Sequence, residues 1–157
     1  MRKGFTLIEL LVVIAVIGML SSLVLVSMGG ARKKARDARR MSDLRQIAAA
    51  MELAYIDSSS GCGGEDTYPT SSTKLTMICP GTGQYLNPFP ADIPPNGYNW
   101  VNNTSACGGI SAGQWYCVWV QLESEPNYTY FIASQRGTKK ITTSTAPTNF
   151  NCNCGNL

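Results

Sequence analysis

Residues 1–28 read MRKGFTLIELLVVIAVIGMLSSLVLVSM, and this stretch decides the fold. Two bases, Arg2 and Lys3, precede a small residue, Gly4. An apolar run then extends from Phe5 to Met28. At about 1.5 Å per residue it makes a helix of roughly 36 Å, long enough to cross a bilayer core with some tilt. Its one charge is Glu9, close to the start. An acid inside a membrane helix is costly and marks a candidate functional residue. Glu9 is therefore either tolerated at the membrane edge or held for a cationic partner.

The helical pattern runs on beyond the apolar stretch. Gly29-Gly30 is a weak point, at about 1 kcal/mol per glycine relative to alanine. Ala31, Ala35 and Ala38 then recur at steps of four and three, a spacing that suits close helix–helix approach. Leu44, Ile47, Ala48, Met51, Ala54 and Tyr55 form a second stripe, expected to pack on a head. Ser58–Gly64 is a helix stop. One helix from Phe5 to Asp57 would reach roughly 80 Å. That length exceeds what an anchor needs and suits the shaft of a filament.

The net charge of +3 is unevenly spread. Arg32, Lys33, Lys34, Arg36, Arg39, Arg40 and Arg45 form a basic collar opposed by Asp37 and Asp43, and the remainder of the chain from residue 57 is mildly acidic. The collar surrounds the helix instead of marking one face, so it reads as a solvated stretch touching headgroups. Contact with acids on neighbouring subunits, or with DNA phosphates, is the functional alternative. No aromatic residue interleaves with these bases, so stacking on single-stranded nucleic acid has no support. Asp37 is placed to pair locally with Lys33, Lys34 or Arg40.

Past residue 58 the chain changes character. Prolines 69, 80, 88, 90, 94 and 95 make a loop-like stretch, with a short turn or edge strand at Leu75–Cys79. Strands follow at Gly97–Val101, Gln114–Glu123, Asn127–Ser134 and Lys139–Thr143, with a turn at Gln135–Thr138. In the second of these, Tyr116, Val118, Val120 and Leu122 alternate with Trp115, Cys117 and Trp119, so both faces are partly covered. The short connections imply an antiparallel meander, and the helix stripe over it gives an α+β head. Glu123 and Glu125 read as an exposed turn. The tail from Ser144 to Leu157 is irregular.

Six cysteines, Cys62, Cys79, Cys107, Cys117, Cys152 and Cys154, all lie in the head. An even count in a small Gly- and Ser-rich region reads as disulfides formed in an oxidising compartment. There is no histidine and no Cys-x-x-Cys pair, so zinc spacings are missing and metal and cofactor are expected to be absent. Of fifteen pairings, Cys62 with Cys79, and Cys107 and Cys117 with Cys152 and Cys154, are favoured. Lack of histidine also removes the usual Ser-His-Asp and Cys-His catalysis, and no phosphate-cradling glycine loop is present, so an enzyme is not expected. Asn102-Asn103-Thr104-Ser105 and Asn127-Tyr128-Thr129 match the short glycosylation-acceptor motif.

Arg2-Lys3-Gly4-Phe5-Thr6-Leu7-Ile8-Glu9, with the apolar run behind it, resembles the signature of type IV pilins and of the pseudopilins of type II secretion. The resemblance covers about the first 28 residues, with only the general layout beyond. It implies a leader, 1–4, removed by a prepilin peptidase between Gly4 and Phe5, and N-methylation of Phe5. It implies a transmembrane and filament-core helix, 5–28, an amphipathic continuation, 29–57, and a globular pilin-like head, 58–157, with a long helix on a small antiparallel, disulfide-bonded sheet. It further implies that Glu9 pairs with the Phe5 ammonium of a neighbour during assembly. The expected function is a structural subunit of a type IV pilus; a minor pilin or adhesin, or a type II secretion pseudopilin, is the alternative. The implied partners are further copies in a helical filament, the peptidase, the assembly platform with its ATPase, the membrane, and a surface or DNA ligand.

The chain would wait in the cytoplasmic membrane with its head outside, then enter an extracellular filament. The flanking bases vote for the opposite orientation, but the cysteines and the leader motif outweigh them. A cleavable secretory signal is disfavoured, because its cut follows the apolar core and Glu9 sits badly inside one. Two departures from the family stand out. The stem lacks the kinking proline of many type IV pilins, leaving Gly18 or Gly29-Gly30 to permit local melting. The region matching the acidic calcium loop of the major secretion pseudopilin, Ile132–Gly137, carries no carboxylate, which disfavours calcium.

Overall fold

The computed structural model describes residues 4–57, 64, 66–71, 75, 78, 85–91, 97–107, 109–126 and 128–147, and the main chain but not the side chains of 25–27. A single helix, α1 (Leu7–Ile56), runs for 50 residues, about 75 Å at 1.5 Å per residue. It starts where Thr6, in an extended conformation, caps the first turn, and it ends at Asp57, whose N–H still reaches Leu53 O at 3.2 Å. The helix stop expected from Ser58 begins outside the described residues.

α1 has two lives. From Leu7 to Val24 no part of it is covered by the rest of the chain, and the mean hydropathy of that span is 2.6. From Asp37 onward one stripe is buried: Leu44, Ile47, Met51 and Ala54 are completely enclosed, with Asp37 and Arg40 on the same face. Full burial of a side chain the size of Leu, Ile or Met contributes about 1.5–3 kcal/mol each. The expected stripe from Leu44 to Tyr55 is therefore the face on which the head is built.

That head is a four-stranded antiparallel sheet in the order β1 (Asn99–Trp100), β2 (Cys117–Gln121), β3 (Thr129–Ser134) and β4 (Gly137–Thr142). β2 is shorter than the expected Gln114–Glu123. Its entrance is diverted because Gln114 N–H turns back to Ser111 O and its side chain donates to Asp66 O. Its exit is diverted because Glu123 N–H is taken by Asp37. β1 is likewise clipped to two residues. β4 starts earlier than expected, at Gly137, which pairs with Ser134 across a two-residue turn and takes φ +101°. Leu75–Cys79 contributes one bridge, Ile78 to Leu86.

Strand alternation sorts the sheet into two faces. Tyr116, Val118, Val120, Leu122, Phe131 and Ala133 meet α1. Trp115, Cys117, Trp119, Tyr130 and Ile132 form a second core on the far side, covered by Val101, Cys107, Ile110, Ile141 and Ala146. The sheet is thus a middle layer, and the tail up to Pro147 helps to close its back. Cys107 and Cys117 are both disulfide-bonded in this rear core. Cys62, Cys79, Cys152 and Cys154, on which the rest of the expected pairing falls, lie outside the described residues.

Asn103 ties these layers together and cannot serve as a glycan acceptor. It is fully enclosed, its amide donates to Pro69 O and Trp115 O, and its carbonyl accepts Ser71 N–H. Of the overlapping acceptor motifs there, only exposed Asn102 remains reachable. Asn103→Ala removes the donor of two buried carbonyls, Pro69 O and Trp115 O, each worth about 1–3 kcal/mol when left without a partner. A fall in the urea midpoint equivalent to at least that free energy, with the slope unchanged, is the expected result.

Candidate functional site

Two places along α1 carry polar chemistry. The first is its tip. Glu9 Oε2 accepts Thr6 N–H at 2.8 Å and the Thr6 hydroxyl at 2.8 Å, while Glu9 N–H is directed to Thr6 Oγ1 at 3.4 Å. This is a capping box: two N–H groups that a helix start leaves open are closed by side chains three residues apart. The arrangement satisfies the hydrogen bonding of Glu9 but gives its negative charge no counter-charge among the described residues. Phe5, 82% exposed, flanks it, and Gly4 precedes it in the open.

Behind the tip the span is prepared for an apolar medium. The Ser21 hydroxyl donates to Ile17 O at 2.8 Å and the Ser22 hydroxyl to Met19 O at 2.8 Å. Both polar groups are thereby turned onto the helix's own carbonyls, and the surface offered to lipid or to another stem is hydrocarbon.

The second place is the junction of stem and head, and here the collar departs from a purely solvated stretch. Arg40 is completely buried and pairs with Asp37 at 3.1 Å and with Glu123. Arg36 grips the same Glu123, with Nη2 at 2.6 Å from Oε2 and Nε at 3.2 Å from both oxygens. Asp37 also accepts the N–H groups of Glu123 (3.0 Å) and Ser124 (2.7 Å). Burial pushes the Asp37 carboxyl up, but those N–H groups and Arg40 outweigh it and hold the group below its ordinary value. Glu123 is held down chiefly by Arg36, with Arg40 adding to it.

Glu123 is therefore not an exposed turn residue. It is the head's half of a clamp, 87 positions from Arg36 in the chain. Glu125 remains at the surface, paired with Lys140 at 2.9 Å. Higher on the helix, acids accept phenols from the following segment: Asp43 from Tyr98 (2.6 Å), Glu52 from Tyr68 (3.1 Å) and Asp57 from Tyr85 (2.8 Å). Sequence reasoning missed these ties because each joins distant segments. The one local signal was Asp37, an acid set three residues before Arg40.

Arg32, Lys33 and Lys34 stay exposed below the junction, and Arg45 lies over the Phe131 ring at 5.4 Å. Among the described residues no group of three or more acidic, Cys or His side chains is arranged to hold a metal ion. Ile132–Gly137 is the end of β3, a turn and the start of β4.

Residues 1–25 match the family model described as the prokaryotic N-terminal methylation motif. Through this motif and the relatives that follow, the chain is similar to secretion-system and type IV fimbrial proteins. The chain is 30% identical over 97 residues to the type II secretion system core protein G of Pectobacterium carotovorum subsp. carotovorum, covering 62% of the chain and 56% of that protein. It is 31% identical over 97 residues to the core protein G of Escherichia coli K12, covering 62% and 61%. It is 30% identical over 99 residues to the type IV major fimbrial protein FimA of Dichelobacter nodosus, covering 63% and 62%. The matches span less than two thirds of those relatives' own length. No solved structure matches the chain.

The motif lies on the same apolar helix, Leu7–Val24, that is long enough to cross a membrane.

Proposed function

We propose that this chain is a filament subunit of the secretion-pseudopilus kind, processed between Gly4 and Phe5 and assembled through its stem. The observation that carries the reading is the bare span Leu7–Val24, which continues without a break into a helix clamped to a folded head. An apolar surface of that length needs either lipid or other stems around it. The relatives support the secretion alternative over the type IV pilus reading, since two of the three named above are secretion proteins; FimA supports the pilus reading. The tip-adhesin alternative loses ground on the head itself. Trp115 and Trp119 are buried in the rear core and offer no aromatic surface to a ligand.

Deletion of the gene is the direct test. A secretion pseudopilin predicts loss of protein export with surface fibres unaffected, whereas lost fibres with normal export would favour the pilus subunit. Mass analysis of the mature protein is expected to find a chain starting at N-methylated Phe5. An intact Met1–Gly4 leader on protein recovered from filaments would overturn the processing step.

A further inference from the structure

We infer that the top of α1 in one copy docks into a groove at the base of the head of another. This rests on the filament reading and names the contact that would hold heads together. Beyond the stem, exposed large apolar side chains on the helix are confined to its last turns: Leu53 at 51% and Ile56 at 76%. Glu52 stands beside them, also exposed, its carboxylate held by the Tyr68 hydroxyl. The helix end is therefore a knob, an acid flanked by two hydrocarbon side chains.

The matching recess lies at the stem–head junction. A groove of about 420 Å³ has Met41 and Leu122 in its wall and Lys34, Asp37, Ser124, Glu125 and Lys140 around it, the Asp37 charge being answered by buried Arg40. Lys140 is engaged by Glu125, while Lys34 has no ion pair among the described residues. An apolar wall beside a spare ammonium is complementary to an acid between two apolar groups. A membrane headgroup would use the lysine but leave the Met41–Leu122 wall without a partner, so a second copy fits better.

One chain cannot close this contact on itself. Lys34 and Glu52 are 18 positions apart on one continuous helix, five full turns, so they share an azimuth and stand about 27 Å apart along a rigid rod. Only a copy displaced along the stem by about that distance can bring knob and groove together. A knob on one end of a subunit and its receptor on the other is a heterologous contact, which propagates without closing. The apolar stems supply burial; this contact would set how far each head climbs past its neighbour.

The test uses the full chain in cells that assemble it. Lys34→Glu and Glu52→Lys are each expected to lower the yield of sheared filaments roughly tenfold, and the double exchange to restore most of it, the signature of a direct pair. Ile56→Asp alters a side chain with little around it, so the monomer should melt normally while assembly falls. Carbodiimide treatment of wild-type filaments should link Glu52 to Lys34 or Lys140 between copies. Filaments that form normally in all three variants, with no such link, overturn the docking and leave the filament reading standing. Weaker membrane retention of Lys34→Glu at unchanged filament yield also overturns it, because the groove then faces lipid. A wild-type chain that forms no filament removes both.

Discussion

Arg40→Ala is expected to destabilise the head by about 3–5 kcal/mol, the cost of breaking a buried ion pair from one side. For a domain of this size that is a drop in melting temperature on the order of 15 °C. Arg40 is enclosed without remainder and carries the charge that balances Asp37 and Glu123 from inside. Remove it, and Asp37 keeps its two N–H donors but loses its cation, while Glu123 retains only the half-exposed Arg36. Arg40→Lys should recover only part of the loss, because a single ammonium cannot serve two carboxylates with the planar fork of a guanidinium.

The same clamp fixes the sign of the acid response. Asp37 and Glu123 are both held below their ordinary values in the folded protein. A depressed folded pKa adds stability that is complete above the unfolded pKa, about 4 for these groups. That stability is lost as pH falls through the folded values. Urea midpoints should thus be flat between about pH 7 and pH 5 and decline below about pH 4. In Arg40→Ala the decline should be shallower. A wild-type midpoint that already falls between pH 7 and pH 5 would show that the clamp does not set the acid limit.

How much of this was legible beforehand depends on range. The stem and the helix stripe obey local periodicity, and so does the alternation of Tyr116, Val118, Val120 and Leu122 against Trp115, Cys117 and Trp119. Those features were readable in sequence. Strand ends were not, because Gln114 and Glu123 are drawn out of β2 by partners on other segments. The clamp was invisible for the same reason: a run of seven bases gives no sign of which ones turn inward. Only the docking of loop 122–125 on α1 separates buried Arg40 from exposed Lys34, and that docking is a tertiary event.

Glu9→Gln should separate the two duties that the stem's acid can hold, and with Glu9→Val it forms the sharpest test of assembly. In the free chain Glu9 is a capping residue, accepting two hydrogen bonds from Thr6. Glutamine fills that position in a capping box as well as glutamate does, so the first turn of α1 should survive. What glutamine lacks is charge. If assembly requires the carboxylate to meet the ammonium that processing creates on Phe5 of a neighbour, Glu9→Gln should lower filament yield roughly tenfold or more. Membrane insertion and leader cleavage should proceed normally. Glu9→Val removes cap and charge together and should assemble no better, though it inserts readily because an apolar residue suits the bilayer. Thr6→Ala supplies the converse, leaving the charge and removing the cap's hydroxyl. It should fray the tip and reduce assembly less than Glu9→Gln does. Should Glu9→Gln assemble like wild type while Thr6→Ala fails, the acid acts as a cap alone and the inter-subunit pair has no role. Once the leader with Arg2 and Lys3 is removed, a carboxylate that only Thr6 engages can report that a second chain has arrived.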